Sequence, residues 1–205
     1  GTFSKAVAIH QKEVDQYTDI TGGGETANCY IVNQPGGYKF PIIKGNGPKG
    51  DIVSGDSAEI NGAVSASIVW QDADIIEVTG IKNGHVTFAT ADPLPHGNAV
   101  IAVKDINGTI LWSWHIWSTD YELGVGDVTV TNYSRTNSYQ MMPLNLGARS
   151  KSSGSSDWRN GDGAVFYQFG RKDPFPSKSA VKTAAGGSLA LSIANPDTFY
   201  TWNNY

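Results

Sequence analysis

The stretch Gly97-Asn98-Ala99-Val100-Ile101-Ala102-Val103-Lys104-Asp105-Ile106-Asn107-Gly108-Thr109-Ile110-Leu111-Trp112-Ser113-Trp114-His115-Ile116-Trp117 holds two β-branched and aromatic runs divided by one Asn-Gly pair. Asn-Gly suits the two left-handed positions of a type I′ turn, whose twist matches a two-residue hairpin. Closing the hairpin there pairs Ile106 with Thr109, Val103 with Trp112, Ile101 with Trp114 and Ala99 with Ile116. The last three pairs are wholly apolar and share one face. The opposite face pairs Lys104 with Leu111, Ala102 with Ser113 and Val100 with His115. A slip of one residue would mix the two sets, so the pattern specifies its own register. Trp112 and Trp114 read as core. Trp117 alternates to the other face with His115 and reads first as structural, with an exposed contact as the alternative.

The same signals recur on either side. Residues 27–32 run into the turn Gln34-Pro35-Gly36-Gly37, and 38–43 resume the extended pattern before a Gly/Asn/Pro loop over 44–50. Residues 66–70, 75–81 and 85–90 follow. Asn83-Gly84 makes a second such turn, between faces that separate less cleanly. Many short runs divided by Gly, Asn and Pro indicate an antiparallel β-sandwich. Near the start, Val7, His10, Val14 and Tyr17 fit helical spacing, while 5–10 fit a strand equally well. Thr21-Gly22-Gly23-Gly24 then breaks either one.

Beyond Asp120 the pattern changes. Residues 125–133 still alternate, but 138–147 do not. Lys151-Ser152-Ser153-Gly154-Ser155-Ser156 has the composition of a loop. Residues 165–169 form a short aromatic strand, followed by Arg171-Lys172-Asp173-Pro174-Phe175-Pro176, a charged turn held by two prolines. Residues 188–194 suit a short helix stopped by Asn195-Pro196. The chain therefore divides into a sandwich over 1–122 and a smaller, irregular β-rich module over 123–205.

Composition narrows the partners. The 205 residues include 24 glycines and only 17% charged residues, and the formal net charge is −4. Typical charged content is about 25% and typical glycine about 7%. Six Trp, nine Tyr and seven Phe supply ample mass for a core. There is no basic block, so nucleic acid is not an expected partner. No apolar run reaches the ~18 residues that span a bilayer. The single cysteine, Cys29, excludes an internal disulfide framework. It reads as a small buried hydrophobe in a strand, with no base nearby in sequence.

Three phrases resemble surface proteins of Bacteroides-type gut bacteria. The first is Thr26-Ala27-Asn28-Cys29-Tyr30-Ile31-Val32 with Gly37-Tyr38-Lys39-Phe40-Pro41 and Lys44-Gly45-Asn46-Gly47. The second runs from Gly97 to Asp105 and from Ile110 to Trp117. The third is Met142-Pro143-Leu144-Asn145-Leu146-Gly147-Ala148 with Tyr167-Gln168-Phe169-Gly170-Arg171-Lys172-Asp173-Pro174-Phe175. Together they resemble the fimbrillin-like, pilus-associated surface lipoproteins of that group. The third also resembles the C-type-lectin-like repeated surface domain first named from Fibrobacter. The resemblance implies an N-terminal sandwich, a second module presenting a binding surface, and export to the cell surface or outer membrane. It further implies membrane attachment only through a lipid anchor absent from this sequence, and a role in adhesion or pilus assembly. Similar proteins continue past the Asn195-Pro196 region into a Pro-Gly-Tyr-Arg-type segment, so the second module is expected to be an incomplete C-type-lectin-like unit.

No motif for chemistry stands out. Gly22-Gly23-Gly24 lacks the spacing and lysine of a phosphate loop, and no nucleophile elbow is present. His10, His85, His96 and His115 are scattered, so no metal site is expected. Asp72 with Asp74, and Asp157 with Asn160-Gly161-Asp162-Gly163, read better as turn chemistry than as calcium loops. Nothing selects a glycosidase pair from 19 acidic residues. The expectation is a protein that is not an enzyme and carries no cofactor, and that binds a glycan or protein ligand, or a partner pilin by strand addition. The alternative is a carbohydrate-binding module of a polysaccharide-utilisation system. Trp158 and Arg159, beside the Ser-rich loop, are the first candidates for ligand contact. Arg171 and Asp173 in the rigid turn read first as an internal salt bridge that closes the loop and alternatively as a contact surface for a ligand or a neighbouring subunit, and Trp117 completes the set.

Overall fold

The computed structural model of the protein describes residues 16–22, 26–45, 58–134, 136–149, 165–176 and 182–201. The ambiguous stretch 1–15 and the candidates Trp158 and Arg159 lie outside the described residues. Two four-stranded sheets form the body. The first has the order β1 (Thr18–Asp19), β3 (Gly37–Pro41), β6 (His85–Thr90), β5 (Ile76–Lys82). The second has the order β2 (Cys29–Val32), β8 (Ile110–Ser118), β7 (Gly97–Lys104), β4 (Ser65–Gln71). Pairing is antiparallel except for β1 with β3 and β2 with β8. The fold is mainly β, as the strand signals predict.

The core between the sheets is aromatic. Phe40 is fully buried, with its ring centroid 4.6 Å from Tyr30 and 5.1 Å from Trp114. Ala99, Ile101 and Val103 of β7 join Ile116 of β8 and Val86 and Phe88 of β6 around it. These are the apolar positions of the hairpin pattern. The observed partners are Val103 with Trp112, Ile101 with Trp114 and Ala99 with Ile116, as expected.

Of the two Asn-Gly turns, one takes the expected geometry and the other does not. Asn83 (φ 50°) and Gly84 (φ 73°) take the paired left-handed conformation of a two-residue hairpin. At the other turn only Gly108 is left-handed, at φ 83°. The cause is Asp105. Its carboxylate Oδ1 accepts from the N–H groups of Asn107 (2.9 Å) and Thr109 (2.8 Å), while the Gly108 N–H donates to the Asp105 carbonyl at 3.0 Å. This is a type I turn followed by a left-handed glycine. The expected type I′ turn is thereby corrected, and so is the pairing next to it. Lys104 opposes Ile110 rather than Leu111, with the register shift lying between Val103 and Lys104.

The central strands of the second sheet, β7 and most of β8, are buried on both faces. Asn98, Val100, Ala102, Ser113, His115 and Trp117 point away from the core, yet each is at most 1% exposed. They are covered by the chain beyond residue 144. That layer contains β11 (Phe166–Tyr167), β12 (Pro174–Phe175), β13 (Lys182–Ala185), the helix α1 (Leu189–Ala194) and β14 (Thr198–Thr201). The helix packs against β8. It begins on Ser188, whose hydroxyl accepts from the Leu191 N–H, and ends at Asn195, close to the predicted 188–194. β13 and β14 pair in parallel, and β11 pairs with β12 across a turn left-handed at Gly170. Between the sandwich and this layer, β9 (Val128–Thr131) and β10 (Ser138–Met141) form an exposed ribbon. The non-alternating stretch 138–147 thus contributes a strand that its sequence pattern does not announce.

Candidate functional site

The charged turn divides its residues between two tasks. Lys172 and Asp173 are an internal anchor. The Lys172 ammonium lies 2.7 Å from Asp173 Oδ1 and donates to the Ser113 carbonyl (2.8 Å) and hydroxyl (2.7 Å), 4.4 Å from the Trp112 ring centroid. The Ser113 hydroxyl donates to Asp173 Oδ1 at 2.8 Å. Burial lowers the Lys172 pKa, and the adjacent Asp173 carboxylate opposes that shift. Asp173, 3% exposed, therefore closes the loop as a salt bridge.

Arg171 faces the other way, into the C-terminal layer. Its Nη2 donates to the carbonyls of Ser192 (3.1 Å), Asn195 (3.2 Å) and Pro196 (3.2 Å), and its Nη1 donates to Thr198 O. It thus satisfies carbonyls left open at the end of α1. The guanidinium carbon lies 5.1 Å from the Phe175 ring centroid and 5.9 Å from that of Tyr200. Gln168 links the same elements, with its Nε2 donating to Tyr200 O (2.5 Å) and its Oε1 accepting from Tyr200 N (3.2 Å). Above Arg171 opens a cavity of about 270 Å³, bounded by Gln168, Phe169, Arg171, Ser188, Leu189 and Tyr200 among others. Phe169 stands at its edge 96% exposed. The Arg171 Nε–H is buried and has no hydrogen-bond partner. An aromatic plane and an apolar wall meet there.

Trp117 does not reach a surface. It is fully buried, its Nε1 donates to Ala148 O at 2.8 Å, and its ring stacks with Tyr121 at 5.9 Å. The exposed-contact reading of Trp117 is corrected, because the C-terminal layer covers the face it occupies. Phe169 is the feature that sequence reasoning passed over. It sits in the quoted aromatic strand, but nothing in its spacing distinguishes it from a core residue.

A second constellation lies on the covered face. The parallel pairing of β2 with β8 sets Cys29 opposite His115. Cys29 Sγ is 3.2 Å from His115 Nδ1, and His115 Nε2 is 2.9 Å from Asn98 Oδ1. The Asn98 Nδ2 donates to Asp72 Oδ2 (3.1 Å) and Gly147 O (2.9 Å), which fixes its Oδ1 as the atom facing the imidazole. His115 Nε2 therefore carries the proton, and Nδ1 accepts from the Cys29 thiol. Burial pushes the thiol up to about 12 and the imidazole down to about 3, so both groups rest neutral. Sequence reading misses this site because Cys29 and His115 are joined only by a parallel pairing across 86 positions. Asp72, read as turn chemistry, also receives Asn98 N (2.7 Å) and pairs with Arg149 (3.4 Å), tying the layer to β4.

No family model matches the chain, and no match to it is found among the curated proteins or the solved structures.

Proposed function

We propose that the protein is an adhesion module of a bacterial cell surface, exported and held there by a lipid anchor, and that its ligand is a glycan. The observation that carries this reading is the cavity at Arg171. Its volume, about 270 Å³, suits a single sugar ring. The exposed Phe169 ring offers the apolar plane on which a pyranose face rests. The resemblance to fimbrillin-like surface proteins supports export and adhesion. Titration calorimetry against panels of host and plant glycans tests the reading. The intact protein is expected to bind at least one terminal sugar epitope, and Phe169→Ala to weaken that binding about tenfold or more. Failure of the intact protein to bind any glycan overturns it.

A pilus-associated role is the second reading, favoured by one observation. Among the described residues β2 is an edge strand of its sheet. It borders a groove of about 610 Å³ that includes Ile20, Tyr30, Ile31, Leu123, Met142 and Leu146. An extended segment of a partner pilin fits such an edge by strand addition.

A further inference from the structure

We propose that Cys29, His115 and Asn98 form a nucleophilic thiol site that accepts the acyl group of an ester or amide carried on an extended, largely apolar chain lying in the groove beside β2. Three observations converge. The thiol, the imidazole and the amide stand in the order nucleophile, base and orienting group, at 3.2 and 2.9 Å. The Asn98 amide is held by Asp72 and Gly147, so the imidazole presents the correct nitrogen to the thiol. Cys29, half-buried, also borders the groove of about 610 Å³, whose apolar residues Ile20, Tyr30, Ile31, Leu123, Met142 and Leu146 suit a chain rather than a small ion.

The chemistry balances without an outside oxidant or reductant. The thiol gives its proton to His115 Nδ1 as the Sγ–C bond forms. The Asn98 carbonyl, accepting from Nε2–H, steadies the imidazolium. The C–O or C–N bond of the donor then breaks, and His115 passes the proton to the departing oxygen or nitrogen, leaving a thioester on Cys29. Water attacks that thioester with His115 again taking the proton, the C–S bond breaks, and the thiol is restored. The net reaction is hydrolysis of the donor. The groups facing His115 are Cys29 from β2 and Asn98 from β7, with Asp72 behind Asn98. Tyr167 of β11 couples electrostatically to Cys29 and to Asp173. Burial opposes a separated thiolate and imidazolium, so the proton leaves the thiol only as the Sγ–C bond forms. The inference is independent of the glycan reading, because the Arg171 cavity and this groove have no residue in common.

The test is 4-nitrophenyl acetate, with mass spectrometry locating the acetyl group. In the native protein one equivalent of 4-nitrophenolate is expected in a burst, with acetylation at Cys29 faster than in the urea-unfolded chain. Cys29→Ala is expected to abolish the burst while leaving glycan binding intact. His115→Gln is expected to slow it about a hundredfold. In Asn98→Ser the midpoint of the pH–rate profile is expected to move, whereas a purely structural Asn98 would lower the melting temperature and leave that midpoint in place. If a variant fails to fold, the native against unfolded comparison of the intact protein decides. Cys29 acetylated no faster in the native than in the unfolded chain, or acetyl spread over lysines with Cys29 unlabelled, overturns the proposal.

Discussion

His115 shows how much one side chain can be asked to do. It sits in the second sheet, 1% exposed, neutral, and hydrogen-bonded on both nitrogens. Its folded pKa of about 3 lies below the ordinary 6.5, so between these values the unfolded chain binds a proton that the folded chain refuses. Stability from this group is therefore complete above pH 6.5 and is lost as the pH falls towards 3, by an amount of order 4 kcal/mol. Urea unfolding between pH 7 and 4 is expected to show this decline, and a folded His115→Gln variant to show a flatter one. Gly147 closes the same network. It is left-handed at φ 82°, and a Cβ there would stand 2.7 Å from Val165 Cγ2 and 2.9 Å from Asn98 Oδ1. At this scale the sequence was readable as side-chain type and face only. The outward alternation of His115 and Trp117 is plain in the hairpin pattern. Which atoms meet them is not, because their partners come from β2 and from residues 147–148.

Elements were more legible than contacts. Alternation and turn residues locate most strands of the sandwich, and the apolar pairs set the β7–β8 register. What alternation cannot show is a side chain competing for backbone N–H groups, and Asp105 does this at the hairpin end. Asp105→Ala removes two acceptor contacts from that turn and is expected to destabilise the fold by about 1 kcal/mol. A lowered melting temperature with the sheet content unchanged would record it. The short strands of the C-terminal layer were poorly legible for another reason. β11 and β12 have two residues each, too few for a period to appear. The two-proline turn at 171–176 was readable as rigid and closed by a salt bridge, but Arg171 capping a helix that begins 18 positions later was not.

For the whole molecule, the decisive fact is that the central strands of the second sheet, β7 and most of β8, are buried on both faces. The chain beyond residue 144 covers them and is fastened through Asp72–Arg149, Ser113–Asp173, Lys172–Ser113, Asn98–Gly147 and Trp117–Ala148. Division into 1–122 and 123–205 describes composition well, but the two parts share buried surface. A fragment ending at residue 122 would expose Val100, Ala102 and Trp117 together with Ser113, stripped of Lys172 and Asp173. It is expected to be insoluble, or to lose cooperative thermal unfolding, while the intact chain melts in one transition. A soluble, cooperatively folding fragment would show that the layer is dispensable.

The ribbon of β9 and β10 follows the opposite rule. All eight of its strand residues are exposed. Val128 opposes Met141 and Val130 opposes Tyr139, while Thr129, Thr131, Ser138 and Gln140 occupy the alternate positions. Because none of these side chains enters the packed body, folding constrains their identity only through the alternation and the turn between them. Evolution can therefore rewrite this ribbon without renegotiating the scaffold, and variants of one body can be given different tastes at that strip alone.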